Sequence, residues 1–155
     1  IASLDEVLQT CKTNGLGLYI DHVYTVDSDI RWSRVFDAIK KYAMEDRVVW
    51  LCQPNDKIVS FFEKSRFSIV CSSLSDTLIE TLKTLREKYK EIGLCLDVDY
   101  HHVSVDDLVS YNEKLPAGCY IELWTIDDIT LYRRYIPYVS AITSNKLSEV
   151  MLNKS

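Results

Sequence analysis

The chain has 155 residues, of which 47% are hydrophobic and 26% charged, which is typical of a globular domain and excludes the disordered and fibrous classes. The 18 basic and 23 acidic residues give a net charge of −5, and the basic residues cluster no further than pairs such as Lys40-Lys41. Nucleic-acid binding is therefore disfavoured. Because no run of about 18 apolar residues occurs, the sequence also predicts no membrane span.

Short apolar runs alternate along the chain with stretches of helical periodicity. A capping box of Ser3 and Glu6 predicts the start of a first helix. Beyond it, the apolar runs predict strands at residues 16–20, 47–52, 67–71, 94–98, 119–124 and 139–143. Helices are predicted over residues 30–44, 56–64, 75–91, 105–115 and 127–135, with Ser75, Ser104 and Asp127 as N-caps.

This alternation is typical of parallel strands joined by crossover helices, and it predicts an α/β fold. Six strand units of about 26 residues resemble those of an eight-fold barrel with two units missing, whereas a doubly wound open sheet also suits six strands. The pattern leaves both architectures open. No linker or low-complexity tract occurs, so we expect residues 1–155 to form a single domain. Since the sequence starts at Ile1 with neither an initiator Met nor a signal-peptide pattern, we expect a piece of a longer or processed polypeptide.

The five cysteines lie at positions typical of buried thiols. Cys52, Cys71, Cys95 and Cys119 each lie in or at the end of an apolar run, and only Cys11 lies on a predicted helix. An odd number of cysteines without a CxxC pair favours reduced thiols over a disulfide framework or a zinc site. We therefore expect a reducing compartment and a cytoplasmic location.

Polar residues follow the predicted strands, and in a parallel α/β fold the carboxyl ends of the strands share the face that binds ligands. This face is predicted to include Asp21, Asp99, Trp124 and Thr143. The alternation along residues 119–124 directs Ile121 and Leu123 towards the helices and Glu122 and Trp124 to the other side. Further polar residues follow the predicted strands: His22, Gln53 to Asn55, Ser72-Ser73, Tyr100 to His102, Thr125, and Ser144-Asn145.

Two aspartates at the end of the fourth apolar run form a further candidate site. Asp97 and Asp99 alternate with Val98, so both side chains are predicted to lie on the same side of the strand. They could bind a cation or pair with a Lys or Arg. His101 and His102, which follow directly, are more typical of a surface loop.

Six stretches of the sequence resemble, in order, the landmarks of the glycerophosphodiester phosphodiesterase family. They are "IASLDEVL", "GLGLYIDHV", "MEDRVVWLCQPN", "LDVDYHHVSVDDLV", "CYIELWTIDD" and "VSAITSNKL". The family counterparts include an I-E-I-K strand, a V-W-T-V-N-D strand exit and an I-I-T-D-x-P ending. The resemblance covers nearly the whole chain. It implies a TIM-type (β/α) barrel, incomplete here, in which the six strands are the third to the eighth.

The resemblance also implies a reaction, the hydrolysis of a glycerophosphodiester to glycerol 3-phosphate and an alcohol. Family members use a divalent metal, which would be Mg or Ca, together with a pair of histidines as acid and base. Their H-R-G, E-x-D and H-D motifs are absent from this sequence. By resemblance, therefore, no catalytic residue lies in this chain, and an N-terminal part or another chain would supply the missing strands.

Two residues match site positions of the family. Asp21 takes the place of the metal-binding Glu of the I-E-I-K strand, one methylene shorter, and Val23 replaces its Lys. Trp124 matches the Trp that packs against the glycerol side of the ligand, and an indole can cover a polyol while presenting an N–H donor. His22 could substitute for the lost groups only if it pointed to the side of Asp21, which strand alternation disfavours.

Two functions remain open. One is a phosphodiesterase whose histidines and remaining metal carboxylates lie outside this sequence. The other is a non-catalytic binding or regulatory barrel that has lost these residues, as the changes at Asp21 and Val23 indicate.

Overall fold

Strands and helices alternate along the residues that the structure, a computed structural model, describes: 2–21, 29–52, 56–61, 65–89, 91–98 and 102–146. The strands are β1 (Leu18–Ile20), β2 (Val48–Leu51), β3 (Arg66–Cys71), β4 (Glu91–Asp97), β5 (Cys119–Trp124) and β6 (Ala141–Ile142). The helices are α1 (Leu4–Thr13), α2 (Asp29–Lys41), α3 (Asp56–Phe61), α4 (Asp76–Arg86), α5 (Val105–Lys114) and α6 (Ile129–Tyr135). Short 3₁₀ turns cover Glu45–Arg47 and Ile136–Tyr138.

The order of the strands in the sheet follows the order of the strands in the chain, β1-β2-β3-β4-β5-β6. β2 pairs in parallel with β1 and with β3, and β5 pairs in parallel with β4 and with β6. The predicted α/β class is thereby confirmed. A doubly wound sheet reverses its strand order at the centre, and the order of the described strands contains no such reversal.

The chain divides into two compact units, Ile1–Ser68 and Ile69–Ser155. The single-domain organisation stays a prediction. In the first unit, three aromatic side chains form the centre of the core, where Trp50 of β2 lies 6.0 Å from Trp32 and 5.9 Å from Phe36 of α2, measured between ring centroids. All three are buried. The predicted capping box of Ser3 and Glu6 starts α1.

An exposed ion pair joins α1 to the end of α2 in the same unit. The Lys41 ammonium lies 2.5 Å from Asp5 Oδ1, and the Tyr42 hydroxyl donates to the same oxygen at 3.0 Å. These two hydrogen bonds, with that of Lys41 first, lower the pKa of Asp5. Because both charged groups are solvated, the pair contributes little to the stability of the protein.

In the second unit, the helix-facing side of β4 and β5 carries the core. Its buried residues belong to β4, β5, α5, α6 and the segments that join them: Leu96, Val98, Val103, Leu108, Ile121, Leu123, Ile126 and Tyr135. The Tyr135 hydroxyl donates to the Val103 carbonyl at 2.9 Å, which satisfies a buried polar group at the edge of this cluster. The predicted caps Ser75 and Ser104 start α4 and α5.

Arg86, the last residue of α4, holds the turn that leads into β5. Its Nε donates to the Ala117 carbonyl at 2.7 Å, and its guanidinium also donates to the Tyr89 carbonyl. Gly118 lies directly beneath this side chain with φ +83°, and its carbonyl accepts from the Ile92 amide at 3.2 Å. The turn and the start of β4 are therefore fixed by the same two residues.

Gly118→Ala is expected to lower the free energy of unfolding by about 2 to 4 kcal/mol, because the positive φ disfavours a side chain and a Cβ would displace the Arg86 guanidinium from the Ala117 and Tyr89 carbonyls. Gly15→Ala is the matched control, since Gly15 has φ +69° but no neighbouring atom within 4 Å of a Cβ. It should show the backbone cost alone, about 1 kcal/mol. Urea unfolding measures both variants. Equal losses would show that the Arg86 contact does not restrict this position.

All five cysteines are free thiols. Cys95 is buried and the other four are half-buried. Burial raises the pKa of Cys52 and of Cys71 to about 11, so both thiols are protonated and unreactive at neutral pH. The reducing compartment and cytoplasmic location stay predictions. Among the described residues, the helices are too short or too polar to cross a bilayer.

Candidate functional site

Three neighbouring strands of the second unit place polar side chains in one row at their carboxyl ends. Asp97 of β4 lies opposite Trp124 of β5 in the parallel register. Ile142 of β6 lies opposite Leu123, and the Thr143 amide donates to the Leu123 carbonyl at 2.8 Å, so Thr143 follows beside Trp124. The structure thus brings together Asp97, Trp124 and Thr143. Trp124 and Thr143 share a rim, as the sequence predicts.

The two sides of β5 differ in chemistry. Ile121 and Leu123 pack into the hydrophobic cluster that the helices cover. Glu122 and Trp124 alternate with them and so lie on the opposite side, where Cys95 and Asp97 are their partners in β4. Glu122 is only 3% exposed. This confirms the predicted direction of the β5 side chains and gives the side away from the helices a polar character.

Trp124 combines a half-buried side chain with an unsatisfied donor. Its Nε1 atom is buried and has no hydrogen-bond partner among the residues that the structure describes. A buried donor without an acceptor costs about 1 to 3 kcal/mol, so such groups are rare in proteins. An acceptor atom from a ligand at the carboxyl ends of the strands would remove this cost.

The loop after β5 is fastened to the loop after β6 by one carboxylate. Asp127 Oδ1 accepts from the Ser144 hydroxyl at 3.0 Å and from the Asn145 amide at 2.7 Å, and Asp127 Oδ2 accepts from Asn145 Nδ2 at 3.1 Å. The side-chain and backbone donors of Asn145 lower the pKa of Asp127, with a smaller contribution from Ser144. The carboxylate is therefore ionised at neutral pH.

These contacts correct the predicted role of Asp127. The N-cap of α6 is Asp128, whose Oδ1 accepts from the Thr130 amide at 2.8 Å and from the Leu131 amide at 2.9 Å. Asp127 cannot cap this helix because its two oxygens point to Ser144 and Asn145. The sequence offered only a weak signal for this pairing, namely a polar pair directly after the next strand.

The candidate metal residue Asp21 belongs to the first unit. It follows β1 directly and is exposed. Alternation along β1 places it on the side of Tyr19, which lies opposite Val49 of β2. Its role as a metal ligand stays a prediction. The other polar candidates His22, Asp99 and His101 lie outside the described residues, while His102 is exposed in the loop before α5.

Across the described ranges, no group of three or more His, Cys, Asp or Glu side chains has the arrangement of a metal site. Asp21 alone would supply a single monodentate or bidentate ligand, whereas Mg and Ca each need about six oxygen ligands. The described residues therefore do not by themselves fit the divalent cation that the family resemblance implies.

The second unit also has a surface groove of about 590 Å³. It lies near the amino end of β6, whereas the candidate site lies at the carboxyl ends of the strands. It runs between α5 and the chain that leads into β6, with Asn112, Glu113 and Tyr138 among its lining residues. Asn112 Nδ2 donates to the Tyr138 carbonyl at 2.8 Å, which links α5 to the chain that leads into β6. Because ligands of parallel α/β folds bind at the carboxyl ends of the strands, this groove is separate from the candidate site.

Comparison with known proteins gives a likeness of fold to solved structures. No protein-family model and no curated protein matches this sequence. Among solved structures, the chain is similar to the crystal structure of a putative glycerophosphodiester phosphodiesterase from Galdieria sulphuraria, with a TM-score of 0.68 and 13% identity. The chain is covered over 98% of its length but spans only 63% of that protein's chain. At this identity, the likeness shows that the two chains share a fold.

Proposed function

We propose that this chain forms the third to eighth strands of a glycerophosphodiester phosphodiesterase-like TIM barrel, and that Trp124 contacts the glycerol part of its ligand. The proposal is supported by the family resemblance of six successive stretches and by the fold shared with the Galdieria sulphuraria protein over 98% of the chain. The sequential order of the six strands is the order that such a barrel requires.

The observation that carries the ligand assignment is the buried Nε1 of Trp124, which has no hydrogen-bond partner in the described part of the chain. It lies at the carboxyl end of β5, between Asp97 of β4 and Thr143. A glycerol hydroxyl or phosphate oxygen is an acceptor of the right kind for this N–H, and the indole ring can cover the carbon skeleton of the glycerol. The neighbouring carboxylate and hydroxyl could hydrogen bond to the same polyol.

A barrel of this type needs two further strands. β1 and β6 are the terminal strands in the sheet order, and Leu16 and Tyr19 near β1 are 54% and 47% exposed. Unpaired edges with exposed apolar side chains are usually covered in stable proteins. We propose that a segment outside this sequence or a second chain pairs with these edges and also brings the missing acid-base histidines and metal carboxylates.

A second candidate function is non-catalytic binding. It is favoured by Asp21 in place of the family Glu and by Val23 in place of the family Lys. Ligand oxygens of Mg or Ca must lie within a few tenths of an ångström of their ideal distances, and the shorter Asp side chain moves its oxygens by about 1 Å. Under this proposal the barrel retains the Trp124 contact and hydrolyses nothing.

Calorimetric titration of the chain with glycerol 3-phosphate tests the binding that both candidates share. We expect saturable heat with glycerol 3-phosphate and a much weaker response to inorganic phosphate, because the indole contact needs the polyol. A chain that binds neither compound, or both equally, would contradict the assignment of Trp124. Joining the chain to a segment with the H-R-G, E-x-D and H-D motifs would then separate an enzyme from a binding protein.

A further inference from the structure

β6 is a short strand that must keep Thr143 beside Trp124. It consists of Ala141 and Ile142 only, and the described pairing joins it to β5. Beyond it, the Thr143 amide donates to the Leu123 carbonyl at 2.8 Å, and the Thr143 carbonyl accepts from the Ile126 amide at 2.9 Å. Thr143 therefore hydrogen bonds to the backbone on both sides of Trp124, at Leu123 and at Ile126.

Asp127 fastens the chain directly after Thr143. Its carboxylate accepts three hydrogen bonds, from the Ser144 hydroxyl at 3.0 Å, the Asn145 amide at 2.7 Å and Asn145 Nδ2 at 3.1 Å. Hydrogen bonds to an ionised carboxylate are about twice as strong as neutral ones. The Ser144 oxygen that donates to Asp127 also accepts from the Lys146 amide at 3.0 Å, so the turn after β6 is organised around this carboxylate.

We propose that Asp127 is a positioning residue for Trp124. Its carboxylate holds the turn after β6 against the loop after β5, which keeps Thr143 at the end of β5 and fixes the depth and direction of the indole ring. The positioning of Trp124 by Asp127 is argued from the contacts within the second unit. The expected effect of Asp127 on ligand affinity rests on the proposed function, since it requires that a ligand contact Trp124.

The test uses the indole N–H resonances of the complete chain, recorded by ¹H–¹⁵N NMR. The chain has three tryptophans, and Trp124→Phe identifies the signal of Trp124. Trp32 and Trp50 are buried in the first unit and serve as internal references. Asp127→Ala is expected to shift or broaden the Trp124 resonance and leave the other two unchanged. A Trp124 resonance that does not move would overturn the proposal.

Asp127→Asn and Asp128→Asn form a matched pair, because both remove one negative charge at adjacent positions. Asn at position 127 can keep the two bonds to Oδ1 and loses that from Asn145 Nδ2, so an intermediate shift is expected. Asn is as good an N-cap as Asp, so Asp128→Asn should leave the Trp124 resonance in place. Equal effects of the two variants would show a charge effect and overturn the positioning role.

Asn145→Ala decides the question if Asp127→Ala fails to fold, since it removes only the bond to Asp127 Oδ2. It should move the Trp124 resonance in the same direction by a smaller amount, and no movement would overturn the proposal.

Glycerol 3-phosphate binding should weaken about tenfold in Asp127→Ala, within the range that small misplacements of binding groups cost. If the parent chain does not bind this ligand, the proposed function fails, and the NMR comparison still decides the role of Asp127.

Discussion

The purified 155-residue chain is expected to release no glycerol 3-phosphate from glycerophosphocholine, with or without added Mg or Ca. Its sequence lacks the family motifs that carry the acid-base histidines, and each such group typically supplies about 10² to 10⁴-fold, or roughly 3 to 5 kcal/mol of the barrier. Within the described residues, no side chains gather into a metal site that could substitute for them. An enzyme-coupled assay for glycerol 3-phosphate measures this directly.

The three histidines of the chain provide the control for this result. They are His22, His101 and His102, and none lies in an H-R-G or H-D motif. Activity in the parent that disappears in His22→Ala or His101→Ala would contradict the prediction. It would show that a histidine at the carboxyl end of a strand has taken over acid-base catalysis.

The alternation of strands and helices could be predicted because each element carries its own local signal. β5 was predicted with its observed bounds, since apolar residues and a following polar loop define it on both sides. The start of α4 and that of α5 were also predicted, because Ser75 and Ser104 accept hydrogen bonds within their own first turn. Signals of this kind depend only on neighbouring residues.

Element ends without such a signal were predicted less well. α2 was predicted to continue to Met44 but ends at Lys41, where the Met44 amide donates to the Ile39 carbonyl and that of Ala43 to the Lys40 carbonyl. This is a Schellman ending, for which Ala43 has φ +51°. Glycine usually occupies that position, so no local residue signal marks this helix end. Likewise, β4 starts at Glu91, inside the predicted helix, because Ile92 pairs with Cys119 of β5.

The candidate site shows the same division between local and long-range information. Strand alternation placed Trp124 and Glu122 opposite Ile121 and Leu123 correctly, because period two is a local property. The role of Asp127 could not be derived in this way. Its partner Asn145 lies 18 residues further along the chain, and an Asp before a helix is also the usual sign of an N-cap. Which of Asp127 and Asp128 caps the helix depends on the packing of β6 beside β5, because this packing brings Ser144 and Asn145 to Asp127.

Trp124→Ala is expected to weaken the binding of glycerol 3-phosphate by about tenfold or more, while the midpoint of urea unfolding stays close to that of the parent. The indole is half-buried at the strand end and lies outside the hydrophobic cluster under the helices. Truncation therefore removes a ligand contact worth about 1.4 kcal/mol or more. It also removes the buried Nε1, which lacks a hydrogen-bond partner among the described residues and whose desolvation costs stability in the free protein.

Trp50→Ala is the matched control, since the same truncation is made in a core. Trp50 is 1% exposed and packs against Trp32 and Phe36, so its loss should cost about 3 to 5 kcal/mol of a total stability of roughly 5 to 15 kcal/mol.

Trp124→Phe separates the two functions of the indole, because it keeps an aromatic ring and deletes the N–H donor. Binding is measured by calorimetry and not by tryptophan fluorescence, because all three tryptophans of the chain would contribute to the fluorescence signal. If Trp124→Ala unfolds at far lower urea and binds glycerol 3-phosphate as the parent does, Trp124 is a core residue, and its unsatisfied N–H has a structural cause.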